Sequence, residues 1–449
     1  MPLSPEDAAV LAVRRAVEAG ATEAEAYVVH VKGYEAHVNN NRVSTATSVN
    51  EAGVGIRVVV GKRLGYSYAS SLDPGEIAEA ARRAVKAARV AREDPEWRGF
   101  PEPSSVYPEP EAIYDASLAR ARPEKVVELV NEMVEEATSF EGVVVNRAYA
   151  TIRVVRRAIA STSGVYRVDT GTYAHEWILV LANRDGVVTP LHYRDAYGRV
   201  SVPSARLLAR RAAEEITRSF RVEKIDSPRR MSVVFTPTAL GELFANTVAE
   251  WLKGSNIVRG ISPLAGRLGE QVMDERLTIV DDGTLRQGFN TWRFDGEGVA
   301  MQRTVLVEKG VFKSPVYDTY WARRAGVEST GNAMREGYTR PPRLDYTNVV
   351  IEKGDAGIDE LLEGEVLLVA GVQGAHSSNP YTGEYSVVAA PAWLVKNGEY
   401  YLVRGVMVAG KLLDQLSKSL EAVGSWHEDL PGLRAPWLRL GDAVVTPRQ

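Results

Sequence analysis

Six histidines, His30, His37, His175, His192, His376 and His427, are the chain's whole supply of imidazole, and there is no cysteine. Disulfides, thiolate nucleophiles and sulfur-ligated zinc are therefore excluded, and any metal chemistry must come from His, Asp or Glu. No histidine stands four or five residues from another. His30, His37, His175 and His192 fall in or beside segments that read as strands and are expected to be ordinary strand residues. Phosphate loops, a strand-linked GxGxxG and a GxSxG elbow are all missing. Asp281-Asp282 and Asp295 with Glu297 sit next to glycines, where carboxylates hydrogen-bond their own backbone, so they are expected to shape turns.

Two stretches stand out. Residues 241–246 read GELFAN, inside TPTALGELFANTVAEWLKG. Thr236 is the expected cap and Pro237 the first helical residue; Leu240, Leu243, Phe244, Val248, Trp251 and Leu252 recur at spacings of three and four, and Gly254 ends the run. Gly241, Glu242 and Asn246 fall off that apolar stripe. A glycine inside a helix costs about 1 kcal/mol relative to alanine, so Gly241 calls for a reason such as close approach of another backbone. The second stretch, GVQGAHSSNPYTGEYSVVAAPAWLV (371–395), must turn sharply while presenting many donors and acceptors. It is expected to hold an extended peptide beside a strand edge through Gln373, Gly374, His376, Asn379, Thr382, Gly383, Tyr385 and Ser386. His376 is the one histidine expected at a functional surface.

The elements that must position these residues follow from caps and periodicity. Ser4-Pro5 opens a first helix that Gly20 ends, and Asp73-Pro74 with Glu76 opens a second. Between them AYVVHV, EAHVNNNRVSTATSV and GVGIRVVV read as hairpin strands broken by Gly and Asn. A proline cluster follows, then a helix over RPEKVVELVNEMVEEAT, strands over 143–200 and a helix over SARLLARRAAEEITRSF. Asn397-Gly398 marks a type I′ hairpin turn further on. The fold class expected is α+β: an amino-terminal half of mixed helices and antiparallel sheets, then a strand-rich carboxy-terminal domain, barrel-like or a folded sheet. The domains expected are 1–92, a Pro-rich linker over 93–112, a central α+β domain over 113–225, and 226–449.

A net charge of -4 with no basic cluster disfavours nucleic acid as a partner. No apolar run approaches the roughly 20 residues that span a bilayer, and the amino terminus lacks the pattern of a signal peptide, so a soluble cytoplasmic protein is expected. Absent Cys, scarce Gln and abundant Arg, Glu and Val fit heat-adapted proteins.

The segments VDDGTLRQGF, FDGEGVAMQRTVLVEKGVFKSPVYD, TGNAMREGY, GVQGAHSSNPYTGEYSV and VAGKLLDQL, with the early block AEAYVVHVKGYEAHVNNNRVSTATSVNEAGVGIRVVVGKRLGYSYAS, closely resemble the TldD/TldE (PmbA) metallopeptidase family. In that family TldD carries zinc on a helical HExxxH, with a further ligand from the later glycine-rich loop. A spacing of five puts two side chains about 140° apart on a regular helix, so the motif needs local distortion. Laid on it, GELFAN puts Gly241 and Asn246 where the ligands would be and Glu242 at the general-base position. The resemblance thus implies a TldE/PmbA-like, non-catalytic subunit with no cofactor of its own, zinc on a TldD-like partner, unfolded or short peptides as substrate, and a homodimer when isolated. Alternatives are an independent metallopeptidase using His376, Glu242 and another carboxylate, and a modulator of DNA gyrase.

Overall fold

A computed structural model describes residues 3–447. The amino-terminal half contains α1 (Pro5–Glu18), β1 (Glu23–Asn39), β2 (Arg42–Val60), β3 (Arg63–Ala69), α2 (Pro74–Val90), α3 (Pro123–Thr138), β4 (Val143–Ser161), β5 (Tyr166–Arg184), β6 (His192–Gly198) and α4 (Ala205–Ile216). Ser4 caps α1 by accepting from the Asp7 N–H, and Gly20 follows it at φ +104°. Asp73 caps α2 by accepting from the N–H groups of Gly75 and Glu76, while the Glu76 carboxylate accepts from Ser71 Oγ instead of closing a capping box.

The strands are longer than the glycine pattern predicts. Gly33, Gly53 and Gly55 lie inside β1 and β2 rather than between strands. Their missing side chains allow close packing: a Cβ at Gly33 would stand 2.1 Å from the Ile152 carbonyl oxygen, and one at Gly55 2.1 Å from the Tyr66 hydroxyl. The strand order is β3-β2-β1-β4-β5-β6, all antiparallel, with β1 paired to β4 from Glu25↔Ser161 to Asn39↔Arg147. The blocks 1–92 and 113–225 therefore share one continuous sheet.

Alternation along these strands separates two faces. One buries Ala26, Val28, Ile56 and Val58 under α1 and α2, and Ala150, Ile152, Ala174 and Ile178 under α3 and α4. The other turns toward the carboxy-terminal half, where Tyr27 and Ile159 pack on Phe294. Residues 93–112 strap the halves together: Trp97 Nε1 and the Phe100 N–H both donate to Glu23, and Tyr107 donates to the Gly298 carbonyl. Deeper in, Arg57 makes 2.8 Å pairs with both Glu25 and Glu297, and Arg335 pairs with Glu25.

The carboxy-terminal half contains a ten-stranded and a six-stranded sheet around one large apolar core. The central strand β7 (Arg229–Phe235) pairs in parallel with Glu365–Val369 and antiparallel with Leu438–Pro447. Asn397 and Gly398, at φ +51° and +79°, make the expected hairpin turn between Ala392–Lys396 and Glu399–Val403. The chain has the α+β architecture expected, with a strand-rich carboxy-terminal region. No helix among the described residues is long and apolar enough to cross a membrane.

The GELFAN helix departs from the continuous helix expected. It is α5 (Pro237–Asn246), set at the end of β7, and it breaks at Thr247 (φ -136°, ψ -83°) before a short α6 (Val248–Trp251). Asn246 Nδ2 donates back to the Glu242 carbonyl at 2.8 Å and Thr247 Oγ1 to the Leu243 carbonyl at 2.5 Å. Side-chain competition for helix carbonyls favours a bend here. Thr236 makes no cap; its hydroxyl donates toward the Ala370 carbonyl.

Candidate functional site

The open face of the sheet and helix α5 enclose a cavity of about 640 Å³, closed on a third side by the hairpin Glu428–Leu430/Leu433–Ala435. Antiparallel pairing of β5 with β6 sets Trp177 opposite Asp195 and His175 opposite Tyr197. With helices covering the alternate positions, His175, Tyr193 and Asp195 point to the cavity, and Gly241, Glu242 and Leu433 face them.

The group nearest Gly241 is a side chain rather than the backbone expected: a Cβ there would stand 2.9 Å from Leu433 Cδ2, the tip of a flexible side chain that a small rotation would move aside. Glu242 is exposed, lines the cavity and makes no hydrogen bond or ion pair through its carboxylate with any described residue. Opposite it, the Asp195 side chain is only 7% exposed. Its Oδ2 accepts from the Tyr193 hydroxyl at 3.3 Å and lies 3.6 Å from His175 Nε2, while Oδ1 and that Nε2 are buried without partners. Burial pushes the Tyr193 hydroxyl's pKa up, and the charges of Asp195 and then Glu242 push it further, so both carboxylates act on one phenol.

At the other end the charges are matched. Lys253 Nζ is 2.7 Å from Glu250 and 3.5 Å from Asp345, and Arg343 is 3.1 Å from Asp345. Tyr346, half-buried on the cavity wall, donates to the Ala249 carbonyl at 2.5 Å and holds the start of α6. An aromatic band leads away along the sheet: His37 lies 4.8 Å from Tyr149, Tyr149 is stacked 5.8 Å from Trp177, and Trp177 is 6.0 Å from Tyr193.

The glycine-rich loop does not line this cavity. Gln373, His376, Asn379, Thr382 and Ser386 are exposed, with Gly374 half-buried. Asn379 accepts from the N–H groups of Tyr381 and Thr382 and so forms its own turn. Gly383, at φ +74°, lies against the Trp251 ring, whose Nε1 donates to the Pro380 carbonyl at 2.6 Å. Tyr385 corrects the expected peptide-binding set: its ring is buried beside Phe235 and its hydroxyl donates to Gln415, which makes it a core residue.

Tyr193 and Asp195 are not among the residues expected at a site, and His175 is expected as an ordinary strand residue, yet all three line the cavity. A signal was present: in TYAHEW and HYRDAY aromatic and ionisable residues take the positions alternate to Ala174, Ile178 and Ala196, which is unlike a face left to water. Of the other histidines, His30, His37 and His192 are strand residues as expected, His30 bonding Asn50 and His192 bonding Glu215 at 2.6 Å. Asp282 and Asp295 do shape turns, accepting from Thr284 and from Glu297 and Val299. Asp281 instead bonds Asn332 and Thr347, and Glu297 reaches Arg57.

The zinc that the family resemblance implies for a metallopeptidase helix does not fit these donors. Gly241 supplies none, the Asn246 amide is spent on the helix, and among the described residues no three His, Asp or Glu side chains are grouped to hold an ion.

Residues 228–447 match the model of the PmbA/TldA metallopeptidase C-terminal domain, and residues 24–88 that of PmbA/TldA metallopeptidase domain 1. A Methanocaldococcus jannaschii protein, MJ0231, is 28% identical over 398 residues, covering 88% of this chain and 91% of its own. A metalloprotease TldD homolog of Haemophilus influenzae is 26% identical over 88% of this chain and 86% of its own. The crystal structure of TldE from Thermococcus kodakarensis superposes with a TM-score of 0.91 at 27% identity, covering 98% of this chain and all of that one. With its first and last domains matched in order and the whole fold shared, the chain belongs to the TldD/PmbA metallopeptidase family.

Proposed function

We propose that this chain is the non-catalytic, TldE/PmbA-like subunit of a TldD-type zinc metallopeptidase, and that it holds unfolded or short peptides while its partner cleaves them. The observation that carries the reading is GELFAN: at the place of the family's metal helix, Gly241 offers no ligand, its open side faces Leu433, and the Asn246 amide is tied to the Glu242 carbonyl. Glu242 keeps the general-base position beside a cavity large enough for a peptide segment. The likeness to a TldE structure over nearly the whole chain supports the same assignment.

The test is peptide hydrolysis by this chain alone, by a TldD-type subunit alone and by their equimolar mixture. No cleavage by this chain and a gain in the mixture over the partner alone are expected. Cleavage by the purified chain that Glu242→Gln abolishes would contradict the proposal and favour an independent peptidase.

A further inference from the structure

Resting on that peptide-holding role, we propose that the cavity between β5–β6 and α5 is a subsite for a cationic group of the peptide, an alkylammonium or a guanidinium, received between Asp195 and Glu242. The cavity's charges divide into two ends. At the first, Lys253 pairs with Glu250 and Asp345, and Arg343 bridges Asp345 and Glu336. At the second, neither Asp195 nor Glu242 forms an ion pair with any described Lys or Arg, and only the His175 imidazole stands near, at 3.6 Å from Asp195.

A carboxylate taken out of water without a partner is costly. The Asp195 side chain is nine-tenths buried, lines the cavity and leaves Oδ1 without a hydrogen bond. Oδ1 has no accessible surface of its own, so what is missing is positive charge beside the carboxylate, which a cationic ligand in the cavity would supply. Acidic ligands would be repelled, and a neutral one would leave the group uncompensated. The remaining wall suits a long basic side chain: Phe244, Val349 and Leu433 offer apolar surface to its methylenes, and Tyr193 borders the same space.

The experiment is fluorescence polarisation of two labelled, amino-terminally acetylated peptides, identical except that one arginine becomes the uncharged isostere citrulline, titrated with the full chain and with its Asp195→Asn and Glu242→Gln variants. The arginine peptide is expected to bind at least about tenfold more tightly, and each variant to remove most of that preference while leaving citrulline-peptide affinity within about threefold. A third probe, the citrulline peptide with a free amino terminus, separates the sources: a tenfold gain there, in place of the arginine gain, makes the cation the peptide terminus and still upholds the subsite. Glu242 is exposed, so its variant reports even if Asp195→Asn fails to fold. Equal binding of all three peptides, or a preference that survives both variants, would overturn the subsite and leave the peptide-holding role standing. Binding of none of them would overturn both.

Discussion

Two of the regions in which this molecule buries charge treat it in opposite ways. Where the amino-terminal sheet meets the carboxy-terminal half, Arg57 sits between Glu25 and Glu297, with Arg335 on the far side of Glu25, and all four are nearly inaccessible. Burial lowers the Arg57 pKa, but the two carboxylates outweigh it and hold the guanidinium charged. On the cavity wall, Asp195 is as deeply placed and Glu242 faces it, yet neither meets a lysine or arginine. The first arrangement is complete within the chain and locks two halves together. The second is complete only with something added, which separates a structural use of charge from a functional one.

The comparison breaks most visibly at the junction. Replacing Arg57 with Met leaves Glu297 without a cation and Glu25 with Arg335 alone, and about 3–5 kcal/mol of stability should be lost, read as a fall in the denaturation midpoint. Were Arg57→Met close to neutral, the junction charges would not be the lock described.

Next in size is an unpaired carboxyl on the covered face of the same strand β5. Glu176 is fully buried, neither carboxyl oxygen has a partner, and burial, aided by Glu132, raises its pKa from 4.5 to about 8. A raised pKa means that the folded state keeps the proton longer, so this contribution is fully present below about 4.5 and is lost as pH rises through about 8. Glu176→Gln should flatten stability across that window, with a gain at the alkaline end on the order of 2 kcal/mol. An unchanged pH profile would refute it.

The smallest effect is the sharpest contrast. Asp195→Asn keeps the shape and an acceptor for Tyr193 while removing an uncompensated charge, so stability should stay within about 1 kcal/mol or rise. A loss comparable to that of Arg57→Met would put Asp195 in the structural class and remove the distinction.

Much of this was legible in the chain. Caps at Ser4 and Asp73 and the turn at Asn397-Gly398 are local devices, and their geometry is fixed by neighbours in sequence. The glycines of β1 and β2 were not legible as strand residues, because the reason for each is a group distant in sequence, such as the Ile152 carbonyl beside Gly33. Similarly, the break at Thr247 depends on side chains turning back to α5 carbonyls, a choice the apolar stripe does not record. GELFAN could be singled out for its odd residues, but its cavity partners Tyr193 and Asp195 lie on a strand about fifty residues earlier and come into view only when sheet and helix are brought together.

The most direct measurement is the zinc content of the purified full chain after incubation with excess zinc and removal of free ion, compared with a TldD-type partner treated alike. Far less than one ion per chain is expected here and close to one on the partner. One tightly held zinc per chain, lost on Glu242→Gln, would contradict it.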